Sequence, residues 1–365
     1  MDKKTLVIFN LATDLQDYLL AHSHDWVEEF AKQFTIVRVY STRVGQTSLP
    51  ENVSLKALGG GNLIRRIRAL IRLFMTLGFL IPNRKNVVVF HHMSSKTVGV
   101  LAWPMKLLGI PQGVWYSHPY GDWALKIGVR AVDVVFVPYR DAFPFPQLAN
   151  HVVETGHGIR FPSFSISDVL ERKRDVLKNI KRNGEIVVVV IGRVTPVKRI
   201  ENCFKAIEIL RPSIKNRISV RVVGPSDCEQ NIVGLKECAR SANVKMEYLG
   251  PLIQDELWKE IFESTFVYNG TLLSIDKSAL IAASLGTPLL TENTGLLKLV
   301  GMNDFGSAKL AGITITKQIE QILDLSSDGF EDLIESTYLA SREQNELENT
   351  INTISFELKG IKTRL

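Results

Sequence analysis

The segment from Glu185 to Leu210, EIVVVVIGRVTPVKRIENCFKAIEIL, constrains the fold more than any other part of the chain. It begins with an uninterrupted run of apolar, mostly β-branched residues at 186–191, which is typical of a strand buried on both faces of a parallel sheet. Apolar residues at helical spacing follow from Ile200 to Leu210, so a helix comes directly after the strand. A strand, a tight turn and a helix in this order predict an α/β architecture with a parallel sheet.

The turn between this strand and helix carries three cations, Arg193, Lys198 and Arg199, and begins at Gly192. Open α/β sheets bind ligands outside the carboxyl ends of their strands. Cations beside the free backbone amides of a helix N-terminus attract phosphate oxygens. We therefore predict a phosphate or pyrophosphate site at this turn; the alternative is a solvated basic loop.

Length and composition indicate a globular protein of two domains. The chain has 365 residues, of which 45% are hydrophobic and 22% are charged, so it can bury two cores of ordinary size. Its three cysteines are odd in number and lack a CxxC spacing, which disfavours a disulfide framework and a zinc site. Residues 1–9, MDKKTLVIF, are too short for the apolar core of a signal peptide, and we expect a cytoplasmic protein.

The positive charge is concentrated in the first half. Residues 1–165 contain 18 Lys and Arg against 11 Asp and Glu, a net charge of +7, whereas the remainder has 26 against 27, a net charge of −1. A basic half predicts an anionic partner such as nucleic acid or an acidic membrane surface. No basic motif interleaved with aromatic residues occurs, so we expect no nucleic-acid binding.

Residues 62–81, NLIRRIRALIRLFMTLGFLI, predict a basic amphipathic helix with Arg65, Arg68 and Arg72 on one face and apolar residues opposite. The arginines interrupt the segment too often for it to span a bilayer. A helix of this kind can dock on anionic lipid. A helix packed on its own sheet, with its arginines in water, explains the pattern equally well.

Alternating strand and helix patterns predict four regions. Residues 1–163 form a first domain, and the charged segment 164–184 is interpreted as an interdomain connection. Residues 185–340 form a second domain, and 341–365 a helical segment that packs back on the first domain. The glycines at 59–61 lack the spacing of a dinucleotide-binding loop.

Several segments, in order along the chain, resemble retaining glycosyltransferases of the GT-B fold, in the large family 4 that builds bacterial surface polysaccharides from nucleotide sugars. They are HDWVEEFAKQFTIVRVYS, LGIPQGVWYSHPYGDWALKIGVRAVDVVFVP and ETGHGI in the first half, and IGRVTPVKRIENCFKAIEIL in the second. The resemblance covers nearly the whole chain. It implies an α/β protein of two doubly wound, Rossmann-like domains facing a cleft, of which the second binds the nucleotide sugar.

The resemblance also implies roles for individual residues. Arg193 and Lys198 match the pair that grips the donor diphosphate, and His118 matches a histidine near the reacting sugar, so these three are the catalytic candidates. The candidates for donor binding are Gly192, Arg193, Lys198, Gly224, Pro225, Tyr248, Leu249, Gly250, Leu273, Ser274, Asp276, Lys277, Ser278, Ile281 and Glu292. The chain has no Asp-x-Asp pair, so we expect no metal and no cofactor besides the nucleotide sugar, which is a substrate.

Three departures from the family stand out. Leu273 and Ile281 occupy the positions of two glutamates that contact the transferring sugar and the ribose, and neither side chain accepts a hydrogen bond. Asp276 or Glu292 offers a shifted carboxylate, although Asp276 is also a plausible N-cap for the following helix. Arg199 replaces the glycine after the lysine, and Arg160 replaces an acidic residue before the second domain.

The resemblance and the charge distribution together predict a cytoplasmic enzyme, peripheral at the inner face of the membrane. It would transfer a hexose-type sugar from a nucleotide-diphosphate sugar, with retention, to a lipid-linked or saccharide acceptor in cell-surface polysaccharide biosynthesis. The basic first domain would meet the acceptor and the anionic membrane surface. The missing glutamates leave one alternative open, a transfer-inactive GT-B-fold partner of another glycosyltransferase; a nucleotide-sugar epimerase fits the second-half motifs less well.

Overall fold

The computed structural model describes residues 5–17, 20–59, 63–302, 304–305, 308–310 and 312–362, with the side chains of 63–70, 73, 77, 304–305 and 308–309 outside the description. The chain forms two units, which are described separately. Unit 1 comprises Met1–Arg160 and Gln344–Leu365, and unit 2 comprises Phe161–Glu343.

The described residues of unit 1 form a seven-stranded sheet and five α-helices. Its strands are β1 (Thr5–Thr13), β2 (Ile36–Val44), β3 (Val53–Ala57), β4 (Val87–His92), β5 (Gln112–Trp115), β6 (Val134–Val137) and β7 (Val152–Glu154). Its helices are α1 (His22–Gln33), α2 (Leu63–Asn83), α3 (Ser95–Leu107), α4 (Trp123–Gly128) and α14 (Leu347–Gly360). The strand order is β3-β2-β1-β4-β5-β6-β7 and every pairing is parallel, so the first half has the predicted doubly wound topology.

The alternation of side chains along β1 and β4 divides the core of unit 1 into two layers. Ile8 and Phe90 face the layer that holds α1 and α14, where Trp26, Phe30 and Ile354 are fully buried. The neighbouring residues on these strands face the opposite layer, where they pack against Leu80 of α2 and against Leu101 and Met105 of α3. Helices therefore cover both faces of the sheet, as a parallel sheet requires.

Unit 2 contains a five-stranded parallel sheet. Its strands are β8 (Ile186–Ile191), β9 (Ile218–Val223), β10 (Lys245–Gly250), β11 (Phe266–Tyr268) and β12 (Leu289–Leu290), in the order β10-β9-β8-β11-β12, and β13 (Asp304–Phe305) pairs with β14 (Ala308–Lys309) outside it. Its helices are α5 (Ile166–Lys181), α6 (Glu201–Glu208), α7 (Pro212–Lys215), α8 (Glu229–Ser241), α9 (Gln254–Glu263), α10 (Lys277–Ser284), α11 (Thr294–Leu299), α12 (Ile315–Leu323) and α13 (Ser327–Glu343). The apolar run that opens the second half is thus the central strand, and the order of the sheet reverses at it.

The segment 164–184 is not a connection between the units. It forms α5, which begins with a capping box between Ser165 and Asp168 and belongs to unit 2. Val169, Lys173, Leu177 and Ile180 form its buried face. A helical periodicity is therefore present, but a lysine occupies one of its core positions and the many exposed charges around it suggested a linker.

The segment 341–365 divides between the two units. Its first three residues end α13 in unit 2, and residues from Gln344 onward belong to unit 1. There α14 packs against α1, and Ile159 forms a parallel β-bridge with Glu346. When the charges are counted by unit, unit 1 has 21 Lys and Arg against 14 Asp and Glu, and unit 2 has 23 against 24. The positive excess therefore lies in unit 1.

Among the residues described, no helix has the length and apolar character needed to cross a membrane. Helix α2 covers the predicted basic segment, but the side chains of Arg65 and Arg68 lie outside the description. Arg72 is exposed, and its guanidinium donates to the Ala57 carbonyl. Membrane contact by these arginines stays a prediction.

Candidate functional site

Loops that follow β8, β9 and β11 meet at the carboxyl edge of the sheet in unit 2. Gly224 has a φ of +135°, and a Cβ added to it would lie 2.1 Å from the Gly192 carbonyl oxygen. A Cβ on Gly270 would lie 2.2 Å from the Lys198 carbonyl oxygen. Only glycine therefore allows the backbones of these loops to touch.

Backbone hydrogen bonds fix the loops after β8 and β9 against each other. The Gly192 N–H donates to the Val223 carbonyl and the Val194 N–H to the Pro225 carbonyl, both at 2.9 Å. The next strand supports them from the other side, since the Tyr248 hydroxyl donates to the Gly224 carbonyl at 2.9 Å. Gly192, Gly224, Pro225 and Tyr248, four of the predicted residues, thus belong to one rigid corner of the unit.

Lys198 and Asp276 form the central ion pair of this site. Lys198 Nζ lies 2.7 Å from Asp276 Oδ2, and the two side chains are only 22% and 17% exposed. The same oxygen accepts from Asn269 Nδ2 at 2.7 Å and from Thr271 Oγ1 at 2.9 Å. Three donors on one oxygen orient the carboxylate and leave Oδ1 without a hydrogen bond from any described residue.

The prediction that Asp276 is the N-cap of α10 is confirmed for its position but not for its hydrogen bonding. Asp276 stands at the N-cap position of α10, but its side chain accepts no hydrogen bond from the helix. It accepts from Lys198, Asn269 and Thr271 instead. The carboxylate therefore serves the site rather than the helix.

The other two cations of the turn also have acidic partners. Arg193 Nη1 lies 3.5 Å from Asp227 Oδ2, and both side chains are exposed. Arg199 Nη1 lies 3.7 Å from Glu292 Oε2. Each partner follows a different strand of the sheet, and of these three ion pairs the one at Lys198 is the shortest and the most buried.

Arg199 also explains the glycine that the resemblance places at this position. Its backbone is left-handed, with φ 48° and ψ 40°, a conformation that costs an ordinary residue about 1 kcal/mol or more. The Tyr268 hydroxyl donates to its carbonyl at 2.9 Å. Burial, with a smaller contribution from Cys203, raises the pKa of Tyr268, so this hydroxyl stays protonated and keeps donating.

Sequence reasoning missed three residues that shape the site: Asn269, Thr271 and Asn293. Asn293 Nδ2 donates to the carbonyls of Thr271 and Ser274 at 3.2 and 3.1 Å, while its Oδ1 accepts from the first turn of α11. This residue therefore clamps the loop after β11. Short polar residues close behind buried strands were the available signal: Asn269 follows β11 directly, and Asn293 comes three residues after β12.

The remaining predicted residues of unit 2 lie on the neighbouring elements. Leu273 is exposed in the loop after β11, Ser274 is half-buried beside it, and Glu292 follows β12. Lys277, Ser278 and Ile281 are half-buried in α10, and Leu249 and Gly250 end β10. Neither Leu273 nor Ile281 supplies an acceptor, so Asp276 and Glu292 are the carboxylates present at the predicted positions.

His118 belongs to unit 1. It lies exposed in the loop between β5 and α4, with its ring 6.1 Å from the ring of Tyr120. No hydrogen bond fixes its imidazole among the described residues. A role for His118 near a reacting sugar stays a prediction.

Two further histidines, His91 and His92, end β4 and point to opposite layers of unit 1. His91 stacks on Phe9, and its Nδ1 lies 2.9 Å from Thr97 Oγ1. Burial lowers its pKa to about 3, against a smaller opposing effect of Gln112, so it is neutral. His92 stacks on Trp26 with ring centroids 4.3 Å apart. Both rings are parts of the core.

One group of described side chains in unit 1, His24, Asp25 and Glu28, has the donor atoms to hold a metal ion. Arg160 Nη1 lies 2.9 Å from Asp25 Oδ1 and from Glu28 Oε2, so a guanidinium already neutralises both carboxylates. The Ser48 N–H donates to His24 Nε2 at 3.1 Å, which leaves the proton of a neutral ring on Nδ1, beside Glu28. Arg160, a departure from the family pattern, therefore has a structural role.

Comparisons with known proteins give the fold its context. No protein-family model matches the chain. No curated protein matches it by sequence either. Solved structures, however, match it across nearly its whole length.

HepE of Anabaena, in complex with UDP, has a TM-score of 0.71 at 12% identity, covering 98% of this chain and 100% of that one. A structure named "Trehalose-6-phosphate from E. coli bound with UDP-2-fluoro glucose" has a TM-score of 0.71 at 11% identity, covering 99% and 100%. An α,α-trehalose-phosphate synthase (UDP-forming) from Burkholderia vietnamiensis has a TM-score of 0.67 at 13% identity, covering 98% and 100%. At these identities the similarity shows the fold, and it confirms the predicted α/β, GT-B class with two doubly wound units.

Proposed function

We propose that the chain is a glycosyltransferase that uses a nucleoside-diphosphate sugar and binds it at the carboxyl edge of the sheet in unit 2. The observation that carries this proposal is the Lys198–Asp276 ion pair, which lies where loops approach each other closely at glycines. The fold is that of structures determined with UDP and with UDP-glucose, which makes UDP-glucose the first donor to test. The retaining outcome and the kinship with family 4 are the finer parts of the proposal, and they rest on the sequence resemblance.

Lys198 and Arg193 would stabilise the diphosphate as it leaves. An ammonium has three protons, and one bond to Asp276 leaves Lys198 with donors for phosphate oxygens. Arg193 makes only a long, exposed contact with Asp227, which a phosphate can displace at little cost. Charge placed where the leaving group develops contributes about 3 kcal/mol for each donor in a water-excluded site. In this proposal the chain's own cations do that work without a metal.

Asp276 would replace the missing glutamates at the sugar. Its Oδ2 is fully used by Lys198, Asn269 and Thr271, whereas Oδ1 is available to accept from a sugar hydroxyl. The Asp276 carboxylate would then contact both Lys198 and the sugar, so that binding of the sugar and placement of the lysine depend on each other. The sequence contributes the rest of the proposal: a lipid-linked or saccharide acceptor, met by unit 1 with His118, in cell-surface polysaccharide biosynthesis at the inner membrane face.

Ligand-induced stabilisation tests the donor site. Thermal unfolding would be followed with UDP-glucose, then with a panel of nucleotide sugars, for the wild type, for Arg193→Ala with Lys198→Ala, and for Arg211→Ala with Lys215→Ala as a control of equal charge on the same unit. A donor at a hundred times its Kd raises stability by about 2.7 kcal/mol. We expect this gain in the wild type and the control and its loss in the site variant. An equal gain in all three proteins would contradict the assignment.

A second candidate function is a transfer-inactive partner that keeps the fold without the chemistry. The specific observation is that Leu273 and Ile281 stand at the two glutamate positions. Product formation separates the candidates. Donor binding without any released nucleoside diphosphate, with acceptors of both kinds present, would favour the inactive partner.

A further inference from the structure

Helices α3 and α4 of unit 1 expose a group of large apolar side chains to solvent. Leu107 is 82% exposed and Trp123 is 75% exposed. Four more apolar or aromatic side chains on or next to these helices are exposed: Val100, Trp103, Tyr120 and Ile127. We call these six residues the α3–α4 surface. Exposed patches of this kind mark interaction sites.

The α3–α4 surface is continuous. Trp103 Nε1 donates to the Ile127 carbonyl at 3.2 Å, which joins the end of α3 to α4. At the other end, a Cβ on Gly99 would lie 2.6 Å from Ala124 Cβ, so the helices touch there. The two helices therefore present their exposed residues as one patch.

The charges around the α3–α4 surface are positive. Residues 95–131 contain Lys96, Lys106, Lys126 and Arg130 but only one acidic residue, Asp122. Asp122 caps α4 and accepts from Ser95, and with its charge included the segment has a net charge of +3. Lys106 Nζ lies 5.1 Å from the Trp103 ring centroid, so one cation is part of the patch itself.

Helix α2 belongs to the same layer. Leu80 of α2 packs in one cluster with Leu101 and Met105 of α3. Earlier in α2, Phe74 and Met75 are exposed close to Arg72 in sequence. The layer thus carries apolar and basic residues on more than one helix.

We propose that the α3–α4 surface docks on an anionic lipid bilayer. Tryptophan and tyrosine settle at the boundary between headgroups and acyl chains, and apolar side chains beside them gain by burial there. Lys and Arg side chains near an anionic leaflet add electrostatic attraction to this burial. A protein partner would have to match four cations around an aromatic patch, whereas an anionic bilayer matches both properties with any orientation of its lipids.

This inference deepens the proposed function, because it names the surface through which unit 1 meets the membrane. The loop that carries His118 also carries Tyr120, whose carbonyl accepts from the Tyr116 hydroxyl at 3.0 Å. A catalytic candidate thus lies on the border of the α3–α4 surface. A lipid-linked acceptor is the acceptor class that such a position suits.

Co-sedimentation with vesicles tests the surface. Vesicles of phosphatidylcholine alone and with phosphatidylglycerol would be compared for the wild type, for Leu107→Ser with Trp123→Ser, and for Lys96→Glu with Lys126→Glu. Phe356→Ser with Ile209→Ser is the control, because both side chains are also strongly exposed but lie elsewhere. We expect binding that requires phosphatidylglycerol, a tenfold or larger loss in both surface variants, and wild-type binding in the control.

Tryptophan fluorescence supplies a local readout. Anionic vesicles should shift the wild-type emission to shorter wavelength, and Trp123→Ser should lose most of that shift. A surface variant that binds vesicles as the wild type does would overturn the inference, as would a loss confined to Arg72→Glu on α2. A wild type that self-associates in solution through this surface, by analytical ultracentrifugation, would also overturn it. Donor-induced stabilisation is measured without vesicles, so failure of membrane docking and failure of the donor site are distinguishable.

Discussion

Lys198 Nζ lies 2.7 Å from Asp276 Oδ2, across the space between two loops that are 78 residues apart in sequence. The same carboxylate oxygen holds Asn269 and Thr271, so one acidic side chain organises the position of the lysine. In the proposed donor site, a lysine held in this way would lose little rotamer entropy when it binds the diphosphate.

Asp276→Asn should separate binding from turnover. The amide cannot hold the ammonium as a carboxylate does, but Lys198 keeps its charge, so we expect UDP affinity to stay within about threefold while turnover falls at least tenfold. Calorimetric titration with UDP and a steady-state transfer assay would measure the two effects. Glu260→Gln, which breaks an ion pair with Arg221 in the same unit, is the control. Parallel loss of affinity and turnover would show that Asp276 has no positioning role.

Gly224→Ala should be among the most destabilising single changes in unit 2. The added methyl would lie 2.1 Å from the Gly192 carbonyl oxygen, and the φ of +135° is unfavourable for alanine. We expect a loss of about 3 kcal/mol or more together with the loss of donor binding. Gly234→Ala, in α8 where no atom lies within 4 Å, should instead stabilise by up to about 1 kcal/mol. Chemical denaturation would compare the two, and similar effects would contradict the packing argument.

Lys173 should make stability depend on pH. Burial lowers its pKa to about 7, from an ordinary value of 10.5, while Nζ donates to the carbonyls of Phe262 and Ser264. The unfolded chain therefore binds this proton more tightly than the folded protein does. The resulting destabilisation of the folded state is complete below pH 7 and disappears as pH rises towards 10.5.

Through this one group, the free energy of unfolding should rise by about 1.4 kcal/mol per pH unit between pH 7.5 and 9. Lys173→Met should remove that slope whatever its effect at a single pH. Lys178→Met, at a solvent-exposed position of the same helix, should keep it. An unchanged slope in the Lys173 variant would refute the assignment.

His118→Ala should affect transfer and not folding. The imidazole is exposed and forms no hydrogen bond among the residues described, so the melting temperature should stay within about 1 °C. If the histidine handles a proton or a sugar hydroxyl, transfer should fall about a hundredfold. His151→Ala, another exposed histidine of unit 1, provides the comparison. Full activity in the His118 variant would remove it from the reaction.

The sequence predicts the parts of this fold that depend on local patterns. The apolar run at 186–191 identified the central strand of unit 2, and the glycines at 192 and 224 were predicted in the turns that follow two of its strands. Alternating patterns of strand and helix were enough for the doubly wound class because parallel sheets need helices on both faces.

What the sequence did not predict depends on contacts between distant residues. The charged composition around Lys173 suggested a linker. No local pattern shows that its ammonium donates to three backbone carbonyls at the end of α9. Asp276 suggested a cap for the same reason, since its real partners include a lysine from another loop. Buried charged groups are chosen by tertiary geometry, so single-sequence patterns cannot reveal their partners.

Helix α14 gives the chain an order of assembly. Unit 1 lacks this helix until residues 344–365 have left the ribosome, whereas unit 2 is made of one continuous segment. Trp26 and Phe30, which pack in one layer with α14, therefore lack the cover of this helix while unit 2 is synthesised. Nascent chains at this stage would expose aromatic surface to chaperones, and premature termination within α14 would leave a folded unit 2 attached to an incomplete unit 1.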